Sequence, residues 1–530
     1  MTAERLRIDY VSPLPPVRSG IADYSADLLP HLAARCDLRL VRIPGQPVAP
    51  EIAARWPLVD PQQRGEDARL PLYQMGNNRY HTEIYELALE RPGVLTLHDI
   101  VLHHLLGDRT LNRDDFAAYR RQLRADHGWI GEAAAMPRRW PGGWGDAAQF
   151  ALPAHRSLLV RQQGILTHSR WAAQWLREEI AELRVEAVPM GIPPGTADAE
   201  AGRVFRRRHG LPRERPLLGS FGFQTPIKRT EAVIAALARP ELDGVHLMVA
   251  GEVAPALKLE DQARRAGVAE RVHILGFLPF AEFEAAIAAA DVCLNLRYPT
   301  AGETSASLLR TMALGKPTVV SDYAQSAELP AAVVVKVPPG EGEDKILASK
   351  LAALVADRDQ LDRLGRAARR HVLRHHDPAA AAAAVVDACH RFRDAVPLDL
   401  PPADPPRPTS IAWSRFEGEI EVHGAEAPWP EGERRRLGVR LRNRSKARWL
   451  AGERPEGGIA LEVRLLADGR DLLTDREWLG LPFDLDPGHE HWFPLELRRP
   501  PGATRLCVVP HVFGHRGFPD LGGPAWEAEI

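Results

Sequence analysis

The chain predicts two successive Rossmann-like α/β domains followed by an all-β sandwich. Three observations carry this. Short apolar runs alternate with stretches of helical period through Ala395, the pattern restarts at Pro216, and beyond the Pro-rich Pro397–Pro408 it gives way to short alternating runs. The expected boundaries are 1–195 and 196–395 for the α/β domains, 396–410 for an extended linker and 411–530 for an immunoglobulin-like β-sandwich. A length of 530 residues is too great for one core.

Composition narrows the function classes. Lys plus Arg total 68 against 70 for Asp plus Glu, a formal charge of −2, so no whole-chain field attracts nucleic acid. Cys36, Cys293, Cys389 and Cys507 form no Cys-x-x-Cys pair, which argues against a metal site or disulfide framework. No apolar run approaches the roughly 18 residues that span a bilayer, and MTAERLRIDYVSPL lacks an apolar signal core. The expected location is cytoplasmic, or peripheral at the inner face of a membrane.

In the first domain, Leu6–Leu14 reads as a strand and GIADYSADLLPHLAARC as a helix. Gly20 between them is either a turn glycine or a point where the backbone comes close to a phosphate, since it has no side chain to block approach. LRLVRI, RLPLYQMG and GVLTLHDI are further strands. His98 ends the last of these, where open α/β sheets place ligands; it can donate to an oxygen or move a proton, or be simply packed. From Asn112 to Trp144, six arginines mix with Trp129, Trp140 and Trp144. That mixture suits an anionic membrane or a lipid-diphosphate acceptor, and a solvated helix face with packed tryptophans explains it more simply. GILTHSRWAAQWL and VEAVPMGIPP close the domain.

PLLGSFGFQTPIKRTEAVIAAL begins the second domain, whose sheet continues through VHLMVAGE, RVHILGFL, DVCLNLR, PTVVSD and AVVVKV. Lys228 and Arg229 stand between a strand end and a helix start, where two cations would join the helix N-terminus in facing an anion; a solvated basic pair is the alternative. Asp291 to Asp322 is a strand, loop, helix and strand, with Glu303, Thr304 and Ser305 where unpaired amides face outward. Its shape alone is that of an ordinary crossover turn.

The residue identities add more. PTAGETSASLLRTMALGKPTVVSD resembles the donor-site segment of family 4 glycosyltransferases, two-domain enzymes of the GT-B class. The resemblance implies that Glu303 holds sugar hydroxyls, that the amides of Thr304 and Ser305 approach the donor, and that Gly20 faces its diphosphate. GSFGF followed by Pro and Lys228-Arg229 is similar to the family's phosphate-gripping loop, and Gly276, Phe277 and Leu278 match its base-reading loop. His98 falls at the family's strand-end histidine near the transferred sugar. Two positions depart: Thr311 stands where the family has a second, ribose-binding glutamate, and Phe223 where it has a phosphate-contacting arginine.

The implied activity is transfer of a sugar from a GDP- or UDP-linked donor to a glycan or lipid-linked acceptor, as in bacterial surface polysaccharide synthesis. A hexosyltransferase, mannosyl transfer among its forms, is expected to retain the anomeric configuration with neither metal nor cofactor. A sugar-nucleotide epimerase and a non-catalytic glycan-binding scaffold are the alternatives; no convincing pair of carboxylates for glycoside hydrolysis stands out.

After the linker, RRLGVRLRNRSKARW, GIALEVRLLADGRDLL, HWFPLELRRP and TRLCVVPHVF read as sandwich strands. Asn443, Trp449 and the turn at Pro487-Gly488 resemble modules appended to surface-glycan enzymes. Trp449, Trp478, Trp492 and Trp526 suit a core or a sugar-stacking surface. Asp484-Leu485-Asp486 reads as a turn rather than a metal site.

Overall fold

Parallel strands covered on both faces must be apolar along their whole length. The short runs of both α/β halves meet that condition, and each becomes a strand. The computed structural model describes residues 5–65, 69–139, 147–398, 400, 409–410, 417–426, 428–452, 457–473, 477–513 and 525–530. The first sheet contains β1 (Arg7–Val11), β2 (Asp37–Val41), β3 (Leu58–Val59), β4 (Leu70–Met75), β5 (Val94–Leu97), β6 (Gly164–Thr167) and β7 (Val185–Ala187), ordered β3-β2-β1-β4-β5-β6-β7. The second contains β8 (Leu217–Phe221), β9 (His246–Ala250), β10 (Val272–Gly276), β11 (Val292–Asn295), β12 (Thr318–Ser321) and β13 (Val335–Val337), ordered β10-β9-β8-β11-β12-β13. Every ladder in both is parallel. β3, two residues long, and β7, in the segment expected only to close the first domain, were not expected as strands.

Strand order reverses between β1 and β4 and again between β8 and β11. Such switch points open a crevice at the carboxyl ends of the strands, so both halves offer a ligand-binding edge. The chain divides into two units, Met1–Asn112 with Gln149–Leu400, and Arg113–Ala148 with Pro401–Ile530. Both parallel sheets lie in the first. One apolar cluster runs through both lobes, joining Ile8, Leu28 and Leu72 to Leu308, Met312, Val372 and Val385. The helix Pro378–Phe392 returns to the first lobe, as the resemblance implies, and leaves no room for a side chain at Gly164, where a Cβ would fall 2.1 Å from Phe392. At the crossover, Met190 O accepts from His376 at 3.0 Å and Ile192 N donates to His376 O at 2.9 Å.

The second unit is built on antiparallel sheets. β14 (Gly418–His423), β15 (Arg434–Asn443) and β19 (Glu490–Arg498) form one; β16 (Ile459–Ala467), β17 (Arg470–Asp471), β18 (Glu477–Gly480), β20 (Arg505–Val512) and β21 (Trp526–Glu529) form the other. Inward residues of both sheets share one core with the fully buried Trp429 and Trp449. Trp449 is therefore a core residue, whereas Trp478 and Trp492 are exposed.

The segment Arg113–Ala148, expected in the first α/β domain, groups with this unit. Its helix Phe116–Ala135 turns at Gly128, whose φ is +63°. Arg124 pairs with Glu132 and lies 3.6 Å from Asp484 and 3.5 Å from Asp486, while Trp129 packs on His489 at 4.4 Å between ring centroids. Buried charges must be compensated, so Arg124 serves the two aspartates rather than an external phosphate. Trp140, Trp144 and most of the Pro-rich linker lie outside the described residues. Among those described, no helix is long and apolar enough to cross a membrane.

Candidate functional site

The loop after β11 is built around one carboxylate. Glu303 Oε1 accepts from Arg297 Nη1 at 2.7 Å, and Oε2 accepts from Thr300 Oγ1 at 2.9 Å and Ala301 N at 3.0 Å. Gln325 Nε2 donates to Thr300 Oγ1 at 2.9 Å and to Glu303 O at 2.7 Å, fixing the loop from outside. Ser305 then caps the helix Ala306–Ala313 by accepting from Leu308 N at 3.3 Å. The amides of Thr304 and Ser305 donate to no group among the described residues, and so face outward as an anion-binding pair. Thr311 points the other way: it is buried, donates to Leu308 O at 2.7 Å and lies 3.2 Å from Thr318 Oγ1.

Lys228 joins this loop because Tyr298 N donates to Ile227 O at 2.8 Å. Its ammonium donates to Phe221 O, beside Gly222. Burial, reinforced by Arg297 and opposed by Glu303, pulls the Lys228 pKa down to about 7. Arg229 leaves the group. It sits in the left-handed region at φ +57° and places its guanidinium on Glu343, 2.8 Å from Nε to Oε2, where the carboxylate is almost wholly buried. Arg297, which the sequence did not single out, is the cation beside Glu303.

The opposing edge belongs to the first lobe. Ile100 N and Val101 N donate to Ala301 O at 2.7 and 3.1 Å, clamping the loop after β5 to the loop after β11. Gly302 makes this approach possible: its φ is +81°, and a Cβ there would fall 2.3 Å from Ile100 Cγ1. His98 is buried, with Nε2 on Gln74 Oε1 at 2.9 Å, and its ring meets Tyr24 at 5.0 Å and His168 at 4.9 Å between centroids. Burial, with His168 and His81 nearby, holds its pKa well below the usual histidine range. His98 is therefore a neutral imidazole at physiological pH. Gln74 Nε2 donates to Thr96 Oγ1 at 3.2 Å, so Gln74 Oε1 accepts the His98 Nε2–H and Nδ1 is left as the free acceptor.

The remaining expected residues form a second group. Arg18, two positions before Gly20, lies over the Phe277 ring at 4.6 Å. A Cβ on Gly20 would meet nothing within 4 Å, so the space beside it is open. Gly276 has φ +71°, Phe277 is half exposed, and Leu278 is buried in the second lobe's core. Phe223 is exposed. A cavity of about 500 Å³ reaches Thr304 and Ser305 from the side of His168, Pro189 and His376, and touches none of the other expected residues. Lys228, Arg297 and Glu303 stand together outside that lining, and His98 adjoins it through His168. No group of three His, Cys, Asp or Glu residues among those described is arranged to hold a metal.

Residues 216–357 match the family model described as Glycosyl transferases group 1. No curated protein matches the chain. Among solved structures, Anabaena HepE in complex with UDP and glucose aligns with a TM-score of 0.52 at 15% identity over 73% of this chain and 100% of its own. Sucrose-phosphate synthase from Thermosynechococcus elongatus gives 0.51 at 15% identity over 73% and 99%. A glycosyltransferase from Rickettsia africae gives 0.52 at 11% identity over 74% and 99%. The two-sheet unit has the GT-B fold of these neighbours, and the antiparallel unit adds to it.

Proposed function

We propose that the α/β unit binds a nucleotide sugar and transfers its sugar to a glycan or lipid-linked acceptor, with retained configuration and without a metal. One observation carries this reading: the clamp from Ile100 and Val101 to Ala301 brings the His98 strand end against the Arg297–Glu303 loop, inside the segment that matches glycosyl transferases group 1. UDP and glucose bound to the similarly folded Anabaena protein support a nucleoside diphosphate donor.

In this reading Lys228 and the amides of Thr304 and Ser305 hold the diphosphate, with Gly20 open beside it and Phe277 toward the base. Arg297 is fixed by Glu303 and adds positive charge where the leaving group gains negative charge. Glu303 has three of its roughly four lone-pair sites occupied, so it orients the loop and has capacity for one sugar hydroxyl. The acceptor oxygen bonds to the anomeric carbon while the bond to the diphosphate oxygen breaks and that oxygen leaves with the electron pair. The acceptor's proton passes to the departing diphosphate. Neutral His98 contributes the Nδ1 lone pair to a sugar hydroxyl without adding charge. The antiparallel unit, read as immunoglobulin-like, would hold glycan near the exposed Trp478 or Trp492.

Thermal stabilisation by UDP, GDP, ADP and their sugar conjugates tests the donor site. Ligand at about a hundred times its dissociation constant adds roughly 2.7 kcal/mol. A shift with one nucleotide family, lost in Lys228→Ala, supports the reading, and no shift with any overturns it. Product analysis then separates transfer, which needs acceptor, from epimerisation, which does not.

A further inference from the structure

The residue beside His98 has no role in the scheme above, yet its carboxyl, near the Arg297–Glu303 loop, has one oxygen without a hydrogen bond among the described residues. Asp99 ends the loop after β5 immediately before the two amides that clamp Ala301. Its Oδ2 accepts from Asn77 N at 2.9 Å, and Oδ1 takes no hydrogen bond among the described residues. The residue as a whole is half-buried, whereas both Glu303 oxygens are already engaged.

We propose that Asp99, through Oδ1, is the carboxylate that accepts hydroxyl hydrogens of the donor sugar and that it selects uncharged sugars over carboxylated ones. The inference rests on the donor-site reading and adds the sugar class. Burial first, then the charge of Glu303, pushes the Asp99 pKa up to about 7, opposed by the Asn77 amide and by Arg297. His98, just before it, is neutral, and His104 Nδ1 lies 3.0 Å from Asn77 Nδ2. An ionised Asp99 is therefore short of donors, and sugar hydroxyls supply them. A uronic acid would bring a third carboxylate beside Asp99 and Glu303, with like-charge repulsion.

The test compares each nucleotide with its sugar conjugate: UDP with UDP-glucose and UDP-glucuronate, GDP with GDP-mannose, ADP with ADP-glucose. Isothermal titration of wild type should show a sugar-dependent gain for a neutral sugar that rises as pH increases through about 7. Asp99→Asn keeps the shape and an oxygen for the Asn77 amide. It should leave nucleotide affinity within about twofold, reduce the sugar-dependent gain about tenfold, flatten its pH dependence and narrow the preference against glucuronate. Asp99→Ser provides a second variant should the first unfold, monitored by circular dichroism. A gain and pH profile unchanged in Asp99→Asn would overturn the inference alone, as would a wild type that binds sugar conjugate no better than nucleotide. A wild type that binds none of the nucleotides overturns the donor-site reading beneath it.

Discussion

The two lobes of the α/β unit share a topology and differ in chemistry. Each is a parallel sheet with one reversal of strand order, and each carries polar side chains beyond its strand ends, after β5 in the first lobe and after β8 and β11 in the second. The first lobe offers a neutral imidazole, His98, and a carboxyl that titrates near neutrality, Asp99. The second offers Lys228, Arg297 and outward amides. Under the proposed function, the first lobe would meet the sugar hydroxyls and the second the diphosphate. Arginine shows the same division within the second lobe, since Arg297 faces the shared loop while Arg229 serves Glu343.

The sharpest way to break this comparison is through Arg229. Arg229→Ala strands the buried Glu343 and should cost about 3 kcal/mol of stability in chemical denaturation, with nucleotide affinity nearly unchanged. A loss of affinity with stability intact would return Arg229 to the phosphate group. Next, His98→Ala should cut turnover about a hundredfold while leaving the nucleotide dissociation constant alone, as befits a residue that meets only the sugar. Unchanged turnover in steady-state kinetics would remove His98 from the reaction.

Gly302→Ala sharpens the link between the lobes, because it forces a side chain into Ile100 at a positive φ. A loss of about 2 kcal/mol is expected in the same denaturation assay. The smallest effect is a pH dependence. Lys228 loses its proton near pH 7 in the free protein, and a bound diphosphate favours the protonated form. Affinity for a nucleotide sugar should thus fall about tenfold as pH rises from about 7 to about 8.5, with proton uptake on binding in calorimetry, and a flat profile would mean that Lys228 does not meet the diphosphate.

Much of this was legible in the sequence, for identifiable reasons. Every strand of the parallel sheets except β3 and β7 announced itself as an apolar run, and Lys228, His98 and Glu303 stood out as polar residues at strand ends. Arg297 had the same signal, a cation two positions beyond β11, and was passed over beside the more conspicuous Glu303. Gln74 was legible too, as an amide inside an otherwise apolar strand. What the sequence could not show were pairings over long separations. Arg229 meets Glu343 more than a hundred positions away, and Arg124 meets Asp484 and Asp486 across most of the chain; no local period encodes either. Because of the second, Arg113–Ala148, which looked like a basic surface of the first domain, packs instead with the antiparallel unit.

The clamp between Ile100, Val101 and Ala301 also bears on timing. Two amides from one lobe share a single carbonyl on the other, so the loop of Asp99 is tied to the loop of Glu303. Under the proposed function, a donor that entered by parting the lobes would exchange those two hydrogen bonds for water and regain them as the cleft shut over it. On that reading, nucleotide entry and exit would be slowed by the same contact that aligns the sugar.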